Sequence, residues 1–182
     1  NVGELLQACV SYLRGEPYEL YPDFPTGGLV DVAKYSDGER GGQVKVRARI
    51  EKVDSHTLAI TELPYSSTTG SLIDSILKAN ETGKIKIKKI NDKTAAEANI
   101  EIQLPSGVSP DKTIDALYAF TGCEISISPN CCVVRDDHPE FLTVSEVLAD
   151  GCERTMSYIR AELGIRLSEL QEQHLLESLE QL

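Results

Sequence analysis

Val44-Lys45-Val46-Arg47-Ala48-Arg49-Ile50-Glu51-Lys52-Val53 is the stretch whose pattern decides the fold. Val44, Val46, Ala48 and Ile50 alternate with Lys45, Arg47, Arg49 and Glu51, so a strand here turns one set toward a core and the other toward water. A slip of one residue would bury three cations, each at a cost of several kcal/mol unless paired. Gly38 to Gly42 supplies a turn before the strand and Asp54-Ser55 a turn after it. Thr57 to Leu63, ended by Pro64, then reads as its hairpin partner.

Toward the carboxy end, Leu72, Ile73, Ile76 and Leu77 recur at helical spacing up to Gly83. Lys84-Ile85-Lys86-Ile87-Lys88 alternates and predicts another strand, paired with Ile100 to Leu104 through the polar loop Asn91 to Ala98. Ser109-Pro110-Asp111 has the form of a helix start, with Pro in the first turn and an end near Phe120. Glu124 to Ser128 and Cys131 to Val134 read as short strands around Pro129-Asn130. Toward the amino end, Val2, Leu5, Leu6, Cys9, Val10 and Leu13 form one helical stripe that Gly15 stops. Tyr21-Pro22-Asp23-Phe24-Pro25-Thr26-Gly27-Gly28 must be extended and turning, and Leu29 to Val32 is a short apolar stretch.

From Thr143 the helical spacing does not stop: Val144, Leu148, Cys152, Met156, Ile159, Leu163, Leu167, Leu170 and His174 recur every three or four residues. Forty residues of helix span about 60 Å, longer than the domain they leave, so the helix projects or pairs with another helix. Gly164 is its weak point, at about 1 kcal/mol relative to Ala. The order strand, strand, helix, strand, strand, helix predicts an α+β fold: an antiparallel sheet with packed helices, then a long projecting C-terminal helix. The corresponding division is an α/β domain over residues 1–142, with its core layer at about 41–120, and an arm helix over 143–182.

Among 182 residues, 41% are hydrophobic and 26% charged, the composition of a folded protein with an aliphatic core, since Trp is absent. No apolar run approaches the roughly 20 residues needed to cross a bilayer, and no secretory leader pattern opens the sequence. A soluble, cytoplasmic chain is expected. Cys9, Cys123, Cys131, Cys132 and Cys152 lack metal-binding spacing and read as reduced thiols packed as small hydrophobes. Asp136, Asp137 and His138 form the one acid-rich cluster with a histidine, but three consecutive loop residues diverge, so an ordinary turn is expected. Gly38, Gly41 and Gly42 do not make a phosphate-binding loop.

The net charge of -11 hides an uneven distribution. Residues 34–93 hold twelve of the eighteen Lys and Arg against eight acids, whereas the rest of the chain holds six against twenty-one. A basic middle can present a local cationic patch to nucleic acid despite the global sign. Lys45, Arg47 and Arg49, at alternate positions of one strand, span about 13 Å and can follow a phosphate backbone without reading bases. A solvated face paired with acids such as Glu51 and Glu62 is the competing reading. Lys84, Lys86, Lys88 and Lys89 form a second row, better explained as protection of an exposed sheet edge than as a DNA contact.

Three of these stretches, in this order and spacing, resemble the A subunits of bacterial type IIA DNA topoisomerases, gyrase and topoisomerase IV. Tyr21 to Gly28 resembles their P-D-F-P-T segment, Arg47-Ala48-Arg49-Ile50-Glu51 their R-A-R-x-E strand, and Glu62-Leu63-Pro64-Tyr65 their E-[IL]-P-Y. Leu72, Ile73 and Ile76, then Leu117-Tyr118, then the helix after Phe141-Leu142-Thr143, follow in the family's order, so the resemblance covers nearly the whole chain. Two stretches depart: Gly41-Gly42-Gln43 stands where the family often has Arg-Gly-Lys, and Ser66 to Thr69 where it commonly has Asn-Lys. The resemblance implies the tower, an α/β domain beside the winged-helix domain, which cradles double-stranded DNA through backbone contacts. The cations implied are Arg40, Lys45, Arg47 and Arg49.

The resemblance further implies that Asn1 to Leu5 lies just after the winged-helix domain, and that the last helix begins the coiled-coil arm leading to the dimer gate. It also implies a parent enzyme that changes DNA topology by ATP-dependent double-strand passage in the cytoplasm, at the nucleoid. That enzyme works as an A-subunit homodimer joined to two B subunits that carry the ATPase and the catalytic Mg2+, so no cofactor is expected in this stretch. The family's nucleophile is a tyrosine directly after an arginine. The seven tyrosines here follow Ser11, Pro17, Leu20, Lys34, Pro64, Leu117 and Ser157, so no catalytic residue is expected. A different class of protein, an interaction module dimerising through its last helix, is the alternative. A self-contained hydrolase ranks below both, since no nucleophile–base pair emerges.

Overall fold

A computed structural model describes residues 1–135 and 137–180. Among the described residues four α-helices, α1 (Val2–Arg14), α2 (Thr69–Glu81), α3 (Pro110–Phe120) and α4 (Val144–Glu180), accompany nine strands. The strands are β1 (Leu29–Lys34), β2 (Gln43–Arg47), β3 (Arg49–Lys52), β4 (Thr57–Glu62), β5 (Lys89–Asp92), β6 (Ile100–Gln103), β7 (Glu124–Ile127), β8 (Cys132–Arg135) and β9 (His138–Phe141). All pairings are antiparallel, in the orders β1-β2-β7, β3-β4-β6-β5 and β8-β9, which makes the chain α+β. The chain divides into two compact units, Tyr21–Asn130 and Asn1–Leu20 with Cys131–Leu182.

In the unit Tyr21–Asn130, alternation along β4 and β6 turns Leu58, Ile60, Ile100 and Ile102 to one face of the four-stranded sheet. Leu72, Ile76 and Ala79 of α2 and Leu117 of α3 cover that face and bury it. α2 starts where the Thr68 hydroxyl accepts from the Ser71 N–H and the Ser71 hydroxyl accepts from the Thr68 N–H, which satisfies two donors of its first turn. The outer face is polar, with Glu101 accepting from Lys93 at 2.5 Å and from Asn91 at 3.3 Å.

The stretch 44–53 is two strands rather than one. The chain leaves the first sheet and enters the second at Ala48, whose N–H donates to the Cys123 carbonyl and whose carbonyl accepts from the Tyr118 hydroxyl, each at 2.8 Å. The inward set survives this break: Val44, Val46 and Ala48 are buried and Ile50 packs against the core from its edge. Residues Lys84 to Lys88 also differ from expectation, because they are not a strand. The Lys84 and Ile85 N–H groups donate to the Ala79 carbonyl at the end of α2, and the Ile87 N–H to the Asn80 side chain. Ile85 and Ile87 still point into the core, so the alternation reports their burial, while the strand itself begins at Lys89.

In the unit Asn1–Leu20 with Cys131–Leu182, α1 ends at Gly15 in the left-handed conformation, φ 71°, which lets its N–H reach back to the last turn. Ala8 of α1 packs with Leu148 and Cys152 of α4, and Tyr12 donates to Glu153 at 2.7 Å. The hairpin β8-β9 precedes α4. Asp137 adopts φ 63° at its tip, and Asp136, the other acid of that cluster, lies outside the described residues. α4 runs unbroken through Gly164 for 37 residues, about 55 Å. Every residue from Ser157 to Leu179 is exposed, including Ile159, Leu163, Leu167 and Leu170.

Candidate nucleic-acid interface

The three motifs quoted from the sequence meet at one carboxylate. Arg49 and Glu62 are cross-strand neighbours on β3 and β4, and the Arg49 Nε lies 2.9 Å from Glu62 Oε1. The other oxygen, Oε2, accepts from the Gly28 N–H at 2.5 Å. The Gly28 N–H first, and then Arg49, hold the Glu62 carboxyl below the usual carboxylate range. Phe24, four residues before Gly28, packs on Tyr65 with ring centroids 4.9 Å apart.

A second carboxylate gathers the remaining strand cations. β7 pairs with β2 so that Glu124 faces Arg47, with Lys45 two residues along the same face. Glu124 Oε2 lies 2.5 Å from Arg47 Nε, and Oε1 lies 3.2 Å from Lys45 Nζ. Arg47 also sits 4.9 Å from the centre of the Tyr118 ring, whose burial raises its hydroxyl pKa. The Arg47 hydrogen bond, then that of Lys45, lowers the Glu124 pKa. Such surface pairs contribute about 0–1 kcal/mol each, so their main effect is to orient side chains.

Lys45, Arg47 and Arg49 remain 41%, 46% and 43% exposed along their side chains, so all three reach water. They do not form one row on one strand, because Arg49 lies past the break at Ala48 and answers to Glu62. Arg40 is exposed in the turn between β1 and β2 and joins neither carboxylate. Lys84 lies 5.4 Å from the Phe120 ring centre, and Lys86, Lys88 and Lys89 reach the surface, the last on the edge strand β5. Glu124 and Tyr118 are the members that sequence reasoning did not place here. Only the β2-β7 pairing, 77 residues apart, identifies Glu124.

These carboxylates make the site acid-sensitive. Folded Glu62 and Glu124 titrate below their ordinary 4.5, so they bind protons less readily when folded than when unfolded. Their contribution to stability is therefore present above about pH 4.5 and lost as pH falls through the folded values. Glu124→Gln is expected to make stability less steep below about pH 4.5, as urea midpoints measured from pH 6 to pH 3 would show. An unchanged acid slope in the variant would contradict the assignment.

Among the described residues no three His, Cys, Asp or Glu side chains gather to hold a metal ion, and no helix is long and apolar enough to cross a membrane. The arrangement is a set of exposed cations held in place by two carboxylates. The family model for the A subunits of DNA gyrase and topoisomerase IV matches residues 1–182, and the chain belongs to that family. It is 42% identical over its whole length to the DNA topoisomerase 4 A subunit of Borreliella burgdorferi, and 34% identical over 81% of its length to the DNA gyrase A subunit of Lawsonia intracellularis. The chloroplastic/mitochondrial DNA gyrase A subunit of Arabidopsis thaliana is 25% identical over 98% of the chain. The chain spans only 29%, 20% and 21% of those relatives' lengths.

Proposed function

We propose that this chain is the DNA-holding tower portion of a type IIA topoisomerase A subunit, working in the cytoplasm at the nucleoid without carrying the nucleophilic tyrosine. Membership of the family supports the class. The observation that carries the DNA role is the solvent-facing placement of Lys45 and Arg47 around one shared carboxylate. Two cations against Glu124 leave a positive excess at the surface, and a phosphate oxygen can replace a carboxylate oxygen at an exposed pair. Arg49 and Arg40 would extend the contact. Residues 1–142 would then be the tower and α4 the start of the arm, in an A-subunit homodimer with two B subunits supplying ATP hydrolysis and Mg2+.

Arg47→Ala with Arg49→Ala, placed in the full-length parent chain and tested in the assembled enzyme, is expected to weaken duplex binding similarly for all sequences. The slope of log K against log salt should become shallower by roughly 0.9 for each phosphate no longer neutralised. Unchanged affinity and slope would return the face to a solvated, acid-paired surface. Alone, with supercoiled plasmid and Mg2+, the chain is expected to give neither relaxation nor a covalent adduct; an adduct at any of its seven tyrosines overturns the non-cleaving role. The exposed apolar residues of α4 favour a second reading, an interaction module that dimerises through this helix. Concentration-dependent dimers in sedimentation, abolished by polar residues at Leu163 and Leu170 and without DNA affinity, would select it.

A further inference from the structure

Two of the five cysteines meet where α1 packs on α4. Cys9 belongs to the apolar stripe of α1, and Cys152 lies in the third turn of α4. Cys9 packs against the buried cluster that contains Cys152, and no bond joins the two sulfurs. Both line an apolar groove with Leu5, Leu148 and Met156, where Cys152 is buried and Cys9 is partly open. Cys123 is buried in the core of the other unit, and Cys131 and Cys132 are consecutive residues at the start of β8. The topoisomerase reading gives the Cys9–Cys152 pair no role.

We propose that Cys9 and Cys152 form a dithiol modification site, closed to a disulfide by hydrogen peroxide, that clasps α1 to the root of α4. The partly open Cys9 reacts first: its sulfur attacks one peroxide oxygen, the O–O bond breaks, and water leaves with the thiol proton, giving a sulfenic acid. The Cys152 sulfur then attacks the Cys9 sulfur, the S–O bond breaks, and the hydroxyl leaves as a second water with the Cys152 proton. Two thiols lose two electrons and one peroxide becomes two waters.

Burial raises the Cys152 thiol's pKa and shields it from solvent oxidants, which leaves the partly open Cys9 as the thiol that meets peroxide first. Closing the pair to the about 2.0 Å of an S–S bond uses rotation about the two Cα–Cβ bonds where α1 packs on α4. In a reducing compartment such a pair stays open until oxidant rises, and a dithiol reductant reopens it.

The test uses the folded chain, treated with hydrogen peroxide, then unfolded, alkylated and digested for mass spectrometry. One Cys9–Cys152 linked peptide is expected, with two of the five thiols consumed and both restored by dithiothreitol. A Cys131→Ser, Cys132→Ser background should leave the result unchanged. In Cys9→Ser the linked peptide should vanish and Cys152 should remain alkylatable. Because Cys9 is only half-buried, that variant is expected to keep the far-UV circular dichroism of the parent. Cys9 and Cys152 both recovered as alkylated thiols after peroxide treatment, or either found bound to a different cysteine, overturns the proposal.

Discussion

Gly28→Ala is expected to lower the unfolding free energy by about 2–4 kcal/mol, read from urea denaturation at neutral pH. Gly28 holds φ 92°, where L side chains are strained, and a Cβ there would lie 2.6 Å from the Arg47 carbonyl oxygen. That oxygen is backbone in β2, so it cannot swing aside as a side chain would. Relief requires moving the segment 21–28 away from the strand, which breaks the Gly28 N–H bond to Glu62 and leaves that carboxylate with Arg49 alone. Gly70 gives the contrast, since a Cβ there meets nothing and the residue lies in α2. Gly70→Ala should be neutral or stabilising by about 0.5–1 kcal/mol. Equal effects at the two glycines would show that Gly28 is not held as described.

Leu58→Ala should cost about 2–5 kcal/mol. Leu58 is fully buried on β4, an interior strand of its sheet, where it faces Lys52 on one side and Ile102 on the other. Leu72 and Ile76 of α2 and Leu117 of α3 belong to the same cluster, so several elements would have to shift to fill the void. Typical domain stability is about 5–15 kcal/mol, so such a loss takes a large share of the folded reserve. The readout is the urea midpoint with its slope; a cost below about 1 kcal/mol would mean that the helices collapse onto the sheet more freely than the packing implies.

The helices were legible in the sequence because their signals are local. Pro110 with Asp111 opens α3 and Gly15 closes α1, and periodicity carries α4 across Gly164. Strand membership was less legible, since a strand is defined by partners that its own residues do not name. Val44 to Ile50 alternates without interruption, yet Arg47 pairs with β7 and Arg49 with β4, so the chain changes sheets at a residue whose side chain looks like any other inward alanine. Lys84 to Lys88 shows the complementary error: Ile85 and Ile87 do face the core, but their N–H groups serve the end of α2 rather than a ladder. The cations of the site could be read off directly. Of their anchors, Glu62 was nameable as a pairing acid, but Glu124 was not, because it reaches Arg47 only after a long-range pairing has formed; the packing of α1 against α4 likewise joins residues more than 140 positions apart.

The unbroken passage of α4 through Gly164 has a mechanical consequence. From Ser157 to Leu179 the helix runs about 35 Å with every residue exposed, while its root is gripped through Ala8, Leu148 and Cys152. A rigid rod held at one end converts angle into distance. A tilt of about 5° at the root carries the far end about 3 Å sideways, and a bond length's adjustment where α1 meets α4 is enough to produce it. A helix broken at Gly164 would absorb that tilt in the hinge, whereas the continuous one delivers it to its tip.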